Sequence, residues 1–209
     1  MKIIYFALTL SVLALFSCKK KELEFNLTGY VSSSISNQGL SNVNVEVYTI
    51  EIGKNIESLK GTTQTDGAGK YSINIDRSKF EKLIIVFTKE NYFKHSKTYF
   101  FDDLTADEEN VTNPTLEAKS FTRFIIKNQP PNNDQDVLKI QKVNGKTDCS
   151  ECCPDGESFY TGKVDTIFKC ANTGDTYMKF YWWVNGSESY GYDSVLNVPF
   201  ETTDYILEY

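Results

Sequence analysis

The chain is 209 residues long and carries 28 acidic against 22 basic residues, a net charge of −6. That length allows one large or two small domains, and the acidic surplus repels phosphate backbones, which excludes nucleic acid as a partner. With 40% hydrophobic and 24% charged residues the composition is globular, and 13 Tyr and 14 Phe beside frequent Val, Ile and Thr favour strands over helices.

Lys2 precedes an unbroken apolar or small run over positions 3–17. The run is too short and too one-sided for a membrane span, so residues 1–17 read as a secretory signal that takes no part in the fold. At its end, Leu15-Phe16-Ser17-Cys18 resembles a bacterial lipobox, although Phe16 is bulkier than the usual residue at its place. An ordinary secretory signal with an incidental Cys is the alternative. The resemblance implies cleavage before Cys18 and acylation of that residue by chains such as palmitate. The membrane is then a partner, reached through the N-terminal lipid. The expected address is the cell envelope, at the periplasmic or the surface face of an outer membrane. Several acyl chains on one Cys anchor stably without a spanning helix. Cleavage removes Lys2 and no acid, so the mature chain is one unit more negative than the whole. Residues 18–24, with lysines 19–21, read as a solvated tether.

Beyond the tether no amphipathic helix of useful length is predicted, and short strand patterns recur. "EFNLTGYVS" places Phe25, Leu27, Gly29 and Val31 on one face, and "VNVEVYTIEI" turns Val43, Val45, Val47 and Thr49 inward. "GKYSINI" aligns Tyr71, Ile73 and Ile75; "KLIIVFTKE" is continuously apolar, as a central strand would be. "SKTYFF" and "NVTNPTLEAK" follow, and Pro114 argues for an edge position in the latter. About seven short strands in roughly 95 residues point to a sandwich. Residues 62–73, "TTQTDGAGKYSI", lack the first Gly and the Ser/Thr of a phosphate loop and the alternating acids of a calcium loop. They read as a hairpin in which Asp66-Gly67, and again Gly69, supply positive φ.

These stretches carry a resemblance. Gly29 in a first strand, Gly39-Leu40 with Val43 and Val45, and Thr63, Thr65, Asp66, Gly69 and Tyr71 together resemble the carboxypeptidase regulatory-like domain, a transthyretin-like β-sandwich, over residues 25–118. The family houses very different activities, so the fold does not give the function. Hydroxyisourate-hydrolysing members use several histidines and a C-terminal Tyr-Arg-Gly-Ser; this chain has one His, His95, and ends "YILEY". One His also cannot build the two-His-one-Glu zinc site of the carboxypeptidases to which such domains are attached.

A second run of strands, residues 119–209, begins with "SFTRFIIKN" and "DVLKIQKV" and ends with "KVDTIFKC", "DTYMKFYWWV" and "TTDYILEY". It resembles, more loosely, the Ig-like sandwich that follows such a domain in some envelope lipoproteins. The expected fold is therefore all-β, a transthyretin-like or Ig-like sandwich followed by a second, smaller one.

Four cysteines remain beside Cys18. Cys149, Cys152 and Cys153 fall in "DCSECCPDGE", and Cys170 lies at a strand end. In an exported chain an even set reads as two disulfides rather than a Cys₄ metal site. A vicinal Cys152–Cys153 bond is disfavoured by geometry, and Cys170 is expected to pair with Cys152 or Cys153. The aromatic stretch "DTYMKFYWWVNGSESYGY" turns Met178, Phe180, Trp182 and Val184 one way and Tyr177, Lys179, Tyr181 and Trp183 the other, with Tyr190 and Tyr192 extending the second face. That second face is either a binding surface for a glycan or peptide or a packing surface against the first half. The acids of "FDDLTADEEN" read as a solvated loop. No cofactor, metal or catalytic residue is expected. The sequence thus predicts a non-catalytic envelope lipoprotein, a binding or structural module whose partner is an envelope protein or a glycan.

Overall fold

The computed structural model of the chain describes residues 23–186 and 188–209; the signal, Cys18 and all of the tether but its last two residues lie outside them. The described residues form sixteen strands and one short 3₁₀ turn, an all-β fold. In the first half these are β1 (Glu24–Tyr30), β2 (Ser32–Ser33), β3 (Asn44–Ile50), β4 (Glu57–Gln64), β5 (Lys70–Asp76), β6 (Lys82–Thr88), β7 (His95–Phe100), β8 (Glu109–Val111) and β9 (Thr115–Leu116). They make a four-stranded sheet β4-β3-β6-β7, a three-stranded sheet β5-β1-β8 and a small β2-β9 ribbon.

The alternation read from the sequence explains the core. Phe25 and Leu27 of β1, Val45 and Val47 of β3, Tyr71 and Ile75 of β5 and Leu83, Ile85 and Phe87 of β6 form one buried cluster between the two larger sheets. Each large apolar side chain fully buried there stabilises the fold by about 1.5–3 kcal/mol. Strand β6 lies between β3 and β7, the interior position its apolar run predicts.

Two expectations are corrected. Residues 62–73 are not a hairpin: β4 belongs to the four-stranded sheet and β5 to the three-stranded one, so the turn carries the chain from one layer to the other. Its conformation is fixed by Asp66, whose carboxylate accepts from the Ala68 and Lys70 amides, both at 2.9 Å. Positive φ is needed at Gly69 (+84°) and not at residues 66–67. A Cβ on Gly69 would come within 2.7 Å of the Val31 carbonyl oxygen, so the turn is wedged against the neighbouring loop. The second correction concerns "NVTNPTLEAK", which is two strands; Pro114 stands between β8 and β9 and accepts from the Ser32 amide through its carbonyl.

The second half contains β10 (Lys119–Lys127), β11 (Val137–Asn144), β12 (Glu157–Thr161), β13 (Asp165–Thr173), β14 (Thr176–Val184), β15 (Ser189–Asn197) and β16 (Thr202–Glu208). Four strands in the order β12-β11-β14-β15 face three in the order β13-β10-β16. A separate core fills the gap, with Phe124 and Ile126 of β10 and Leu207 of β16 against Leu138, Ile140, Met178, Phe180 and Val195. This sandwich has the same sheet sizes as the first and is smaller by the absent ribbon.

The two halves meet at residues 91–93 and 117–119. The Phe93 amide donates to the Glu117 carbonyl and the Lys119 amide to that of Asn91, and the Tyr92 and Phe200 rings meet edge to face at 5.4 Å.

Candidate functional site

Strand β14 turns Met178 and Phe180 into the core, each 1% exposed. Its alternate residues Tyr177, Lys179, Tyr181 and Trp183 must then project from the outer face of the four-stranded sheet. The chain reverses at Asn185-Gly186, both at positive φ (47° and 77°), and returns as β15. The register sets Tyr190 opposite Trp183 and Tyr192 opposite Tyr181. On the other flank β11 places Lys139 beside Trp183 and Gln141 beside Tyr181, and β12 places Phe159 beside Lys139. One row across the sheet therefore reads Phe159, Lys139, Trp183, Tyr190, and the next reads Glu157, Gln141, Tyr181, Tyr192.

This face does not pack on the first half. Tyr181 is 41% exposed, Tyr192 50%, Tyr177 52% and Tyr190 70%. The Tyr181 ring lies 4.7 Å from that of Tyr192 and 5.7 Å from that of Trp183. Trp183 is half-buried because the Lys139 ammonium sits 4.1 Å from its ring centroid. That cation–π contact is worth about 0.5–1 kcal/mol at an exposed site, and Glu157 holds the same ammonium at 3.1 Å. Phe159, 61% exposed, is a member that sequence reasoning missed; its strand is five residues long and its alternation too brief to register.

The inner side of the same strands holds the face rigid. The Trp182 indole lies over Gly191, where a Cβ would come within 2.5 Å of its ring carbons. Its Nε1 donates to Asp193 Oδ2 at 3.0 Å, and the Tyr205 hydroxyl donates to the same oxygen at 2.6 Å. Burial and then the Asp193 carboxylate push the Tyr205 phenol far above its usual range, so it stays a donor at all working pH.

The cysteines form two disulfides, Cys149–Cys152 and Cys153–Cys170. The second falls within the pairing expected from the sequence, and the vicinal bond is not made. Cys153 and Cys170 are 3% and 5% exposed and belong to the second core, whereas Cys149 and Cys152 are half-buried and lie outside it. The loop between β11 and β12 is gathered around Lys142, whose side chain is 8% exposed. Its ammonium donates to the Lys146 and Cys153 carbonyls, both at 2.7 Å, and pairs with Asp155 at 2.5 Å. Lys146 from this loop pairs with Glu117, Lys119 pairs with Glu151 at 2.6 Å, and both ammonium groups lie over the Phe93 ring. The cysteine loop is thus a structural clamp against the first half.

At the opposite end of the second sandwich Asp136, 8% exposed, ties two turns together. Its carboxylate accepts from Asn128 Nδ2 at 2.9 Å, the Asn133 amide at 2.8 Å, Asn133 Nδ2 at 2.9 Å and Asn185 Nδ2 at 3.3 Å. The Asn128 bond first, then the Asn133 amide, hold its pKa below the ordinary value. The unfolded chain titrates near about 3.9, so this stabilisation is complete above that pH and is lost as pH falls through the lower folded value. Acid unfolding followed by tryptophan fluorescence should therefore steepen below about pH 4. Asp136→Asn should be less stable at neutral pH and flatter in acid; an unchanged acid limb would remove this assignment.

His95 is exposed at the start of edge strand β7. Among the described residues no group of three or more His, Cys, Asp or Glu side chains is placed to hold a metal ion, and no helix is long and apolar enough to cross a membrane.

No family model matches the chain, and no curated protein matches it in sequence. Solved structures to which it is similar include the Bacillus anthracis TIE protein (11% identity, TM-score 0.39, covering 89% of this chain and 34% of that one). A streptococcal ancillary pilin is similar at 11% identity and TM-score 0.39, over 91% of this chain and 63% of the other. The minor pilin GBS52 of Streptococcus agalactiae gives 10% identity and TM-score 0.40, over 88% and 94%. The chain spans less than two thirds of the length of the first two.

Proposed function

We propose that the chain is an exported, lipid-anchored binding module that recognises glycan on the outer face of its second sandwich and carries out no covalent chemistry. The observation that carries this reading is the exposure of Tyr177, Tyr181, Tyr190 and Tyr192 around Trp183 on a sheet whose inner side is locked. Large aromatics left in water on a rigid face mark an interaction surface. Flat rings with polar tips suit the apolar faces and hydroxyl rims of sugar rings. The two disulfides support export, since such bonds persist in oxidising compartments.

Tyr181→Ala and Trp183→Ala are expected to weaken binding to immobilised oligosaccharides at least about tenfold, roughly 1.4 kcal/mol, with the thermal transition nearly unmoved. Binding that survives both changes would end the reading. Anchoring is tested separately: Cys18→Ser should move the protein from the membrane to the soluble fraction, and unaltered membrane association would remove the lipid anchor.

A second reading, a subunit of an envelope complex, rests on the other sheet. There the register aligns Ile167, Ile125 and Ile206 in one row, with Ile167 62% and Ile206 61% exposed. It would show as a partner co-purifying with the wild type and lost from Ile167→Lys.

A further inference from the structure

The aromatic face differs in charge from the chain that bears it. The whole sequence holds 28 acids against 22 bases. Among the outward residues of β11, β12, β14 and β15, however, two lysines, Lys139 and Lys179, stand against one glutamate, Glu157. Glu157 is neutralised by Lys139. The acid of β15, Asp193, turns inward to Trp182 and Tyr205. Lys179 forms no ion pair among the described residues. It lies on β14 between Tyr177 and Tyr181, opposite Ser194 on one side and Asn144 on the other. A cation without a counter-charge therefore sits inside a run of exposed rings, flanked by a hydroxyl and an amide.

We infer that the ligand is an acidic glycan, one whose sugar rings carry carboxylate groups, and that Lys179 is the residue that selects it. This rests on the glycan reading above and narrows it. The rings of Tyr181, Tyr192 and Trp183 supply contact area to any sugar of suitable outline. They do not distinguish a neutral hexose from a uronic acid. Lys179 does, because its charge is balanced when a carboxylate arrives and is merely covered when a neutral sugar does. Ser194 and Asn144 supply hydrogen bonds to the ring hydroxyls on either side. The pairing is exposed, so it is screened by salt, and its contribution is to selectivity more than to total affinity.

The test uses the full chain carrying Cys18→Ser, so that no detergent competes for the face. Binding of an oligogalacturonate and of a neutral hexose oligomer of the same length is measured by calorimetry at low and high salt. The wild-type face is expected to bind the oligogalacturonate at least about fivefold tighter at low salt, with the preference shrinking as salt rises. Lys179→Gln should erase the preference and leave neutral binding in place, whereas Tyr181→Ala should weaken both. Equal affinity for the two sugars would overturn the acidic assignment and leave the glycan reading standing. Binding of neither sugar would overturn both. An acidic peptide that binds in a Tyr181-dependent way where sugars do not would replace the ligand class.

Discussion

Replacing Cys153 and Cys170 together with alanine is expected to cost the second sandwich about 2–5 kcal/mol. The bond closes a loop with a sequence separation of 17 and joins the loop at β12 to β13 from inside the core. Its loss releases chain entropy in the unfolded state and leaves two small voids in the packed interior. The Cys149–Cys152 bond has a sequence separation of 3 and joins two half-buried residues outside the core, so replacing that pair with serine should cost markedly less. Urea unfolding monitored by tryptophan fluorescence reads this directly, because both tryptophans, Trp182 and Trp183, lie in the second half. Equal losses from the two double variants would contradict the assigned roles.

Phe180→Ala should destabilise the second sandwich by about 3–5 kcal/mol. Its ring is 1% exposed and meets Phe124 at 5.5 Å and Tyr205 at 4.8 Å, which makes it the contact on which both sheets converge. Phe87→Ala should have a cost of the same order in the first sandwich, where the buried ring meets Tyr71 at 5.5 Å. The two cores share no residue. We propose that each half, divided at residues 118–119, unfolds as its own unit. The tryptophan transition should then move with Phe180→Ala and stay nearly fixed with Phe87→Ala, as expected of distant, independent sites. A common shift in both variants would show one cooperative unit held by the Phe93 clamp.

What was legible in the sequence was whatever repeats over a few residues. Phe25 with Leu27, and Val43 with Val45 and Val47, show the two-residue period of a half-buried strand, and all five are buried. Met178 and Phe180 oriented β14 in the same way and so identified the outer aromatic face. Strand β4 was hidden because "ESLKGTTQ" carries little apolar alternation; it is an edge strand, largely exposed, held by pairing to β3. The turn at residues 66–69 was visible as a turn, but local chemistry cannot say whether the strands it joins hydrogen-bond to each other or lie in opposite layers. The same limit applies to the clamp. Lys142 and Asp136 each look like ordinary surface charges, and their roles depend on carbonyls and amides brought together by distant parts of the chain.

The pairing of β10 with β16 has a kinetic consequence. Arg123 on β10 and Asp204 on β16 are joined in a two-bond ion pair across 81 positions of chain, and the strands between which they lie run parallel. A polypeptide synthesised from its N-terminus exposes β10 well before its parallel partner β16. The described strands of the first sandwich are complete by Leu116, so it can close while the rest is still being made. The second must wait, with one edge of β10 open, until β16 arrives to cover it. Contacts of such long range form slowly, so β10 keeps an open edge until β16 has emerged, and in that interval it is a template for pairing with other chains.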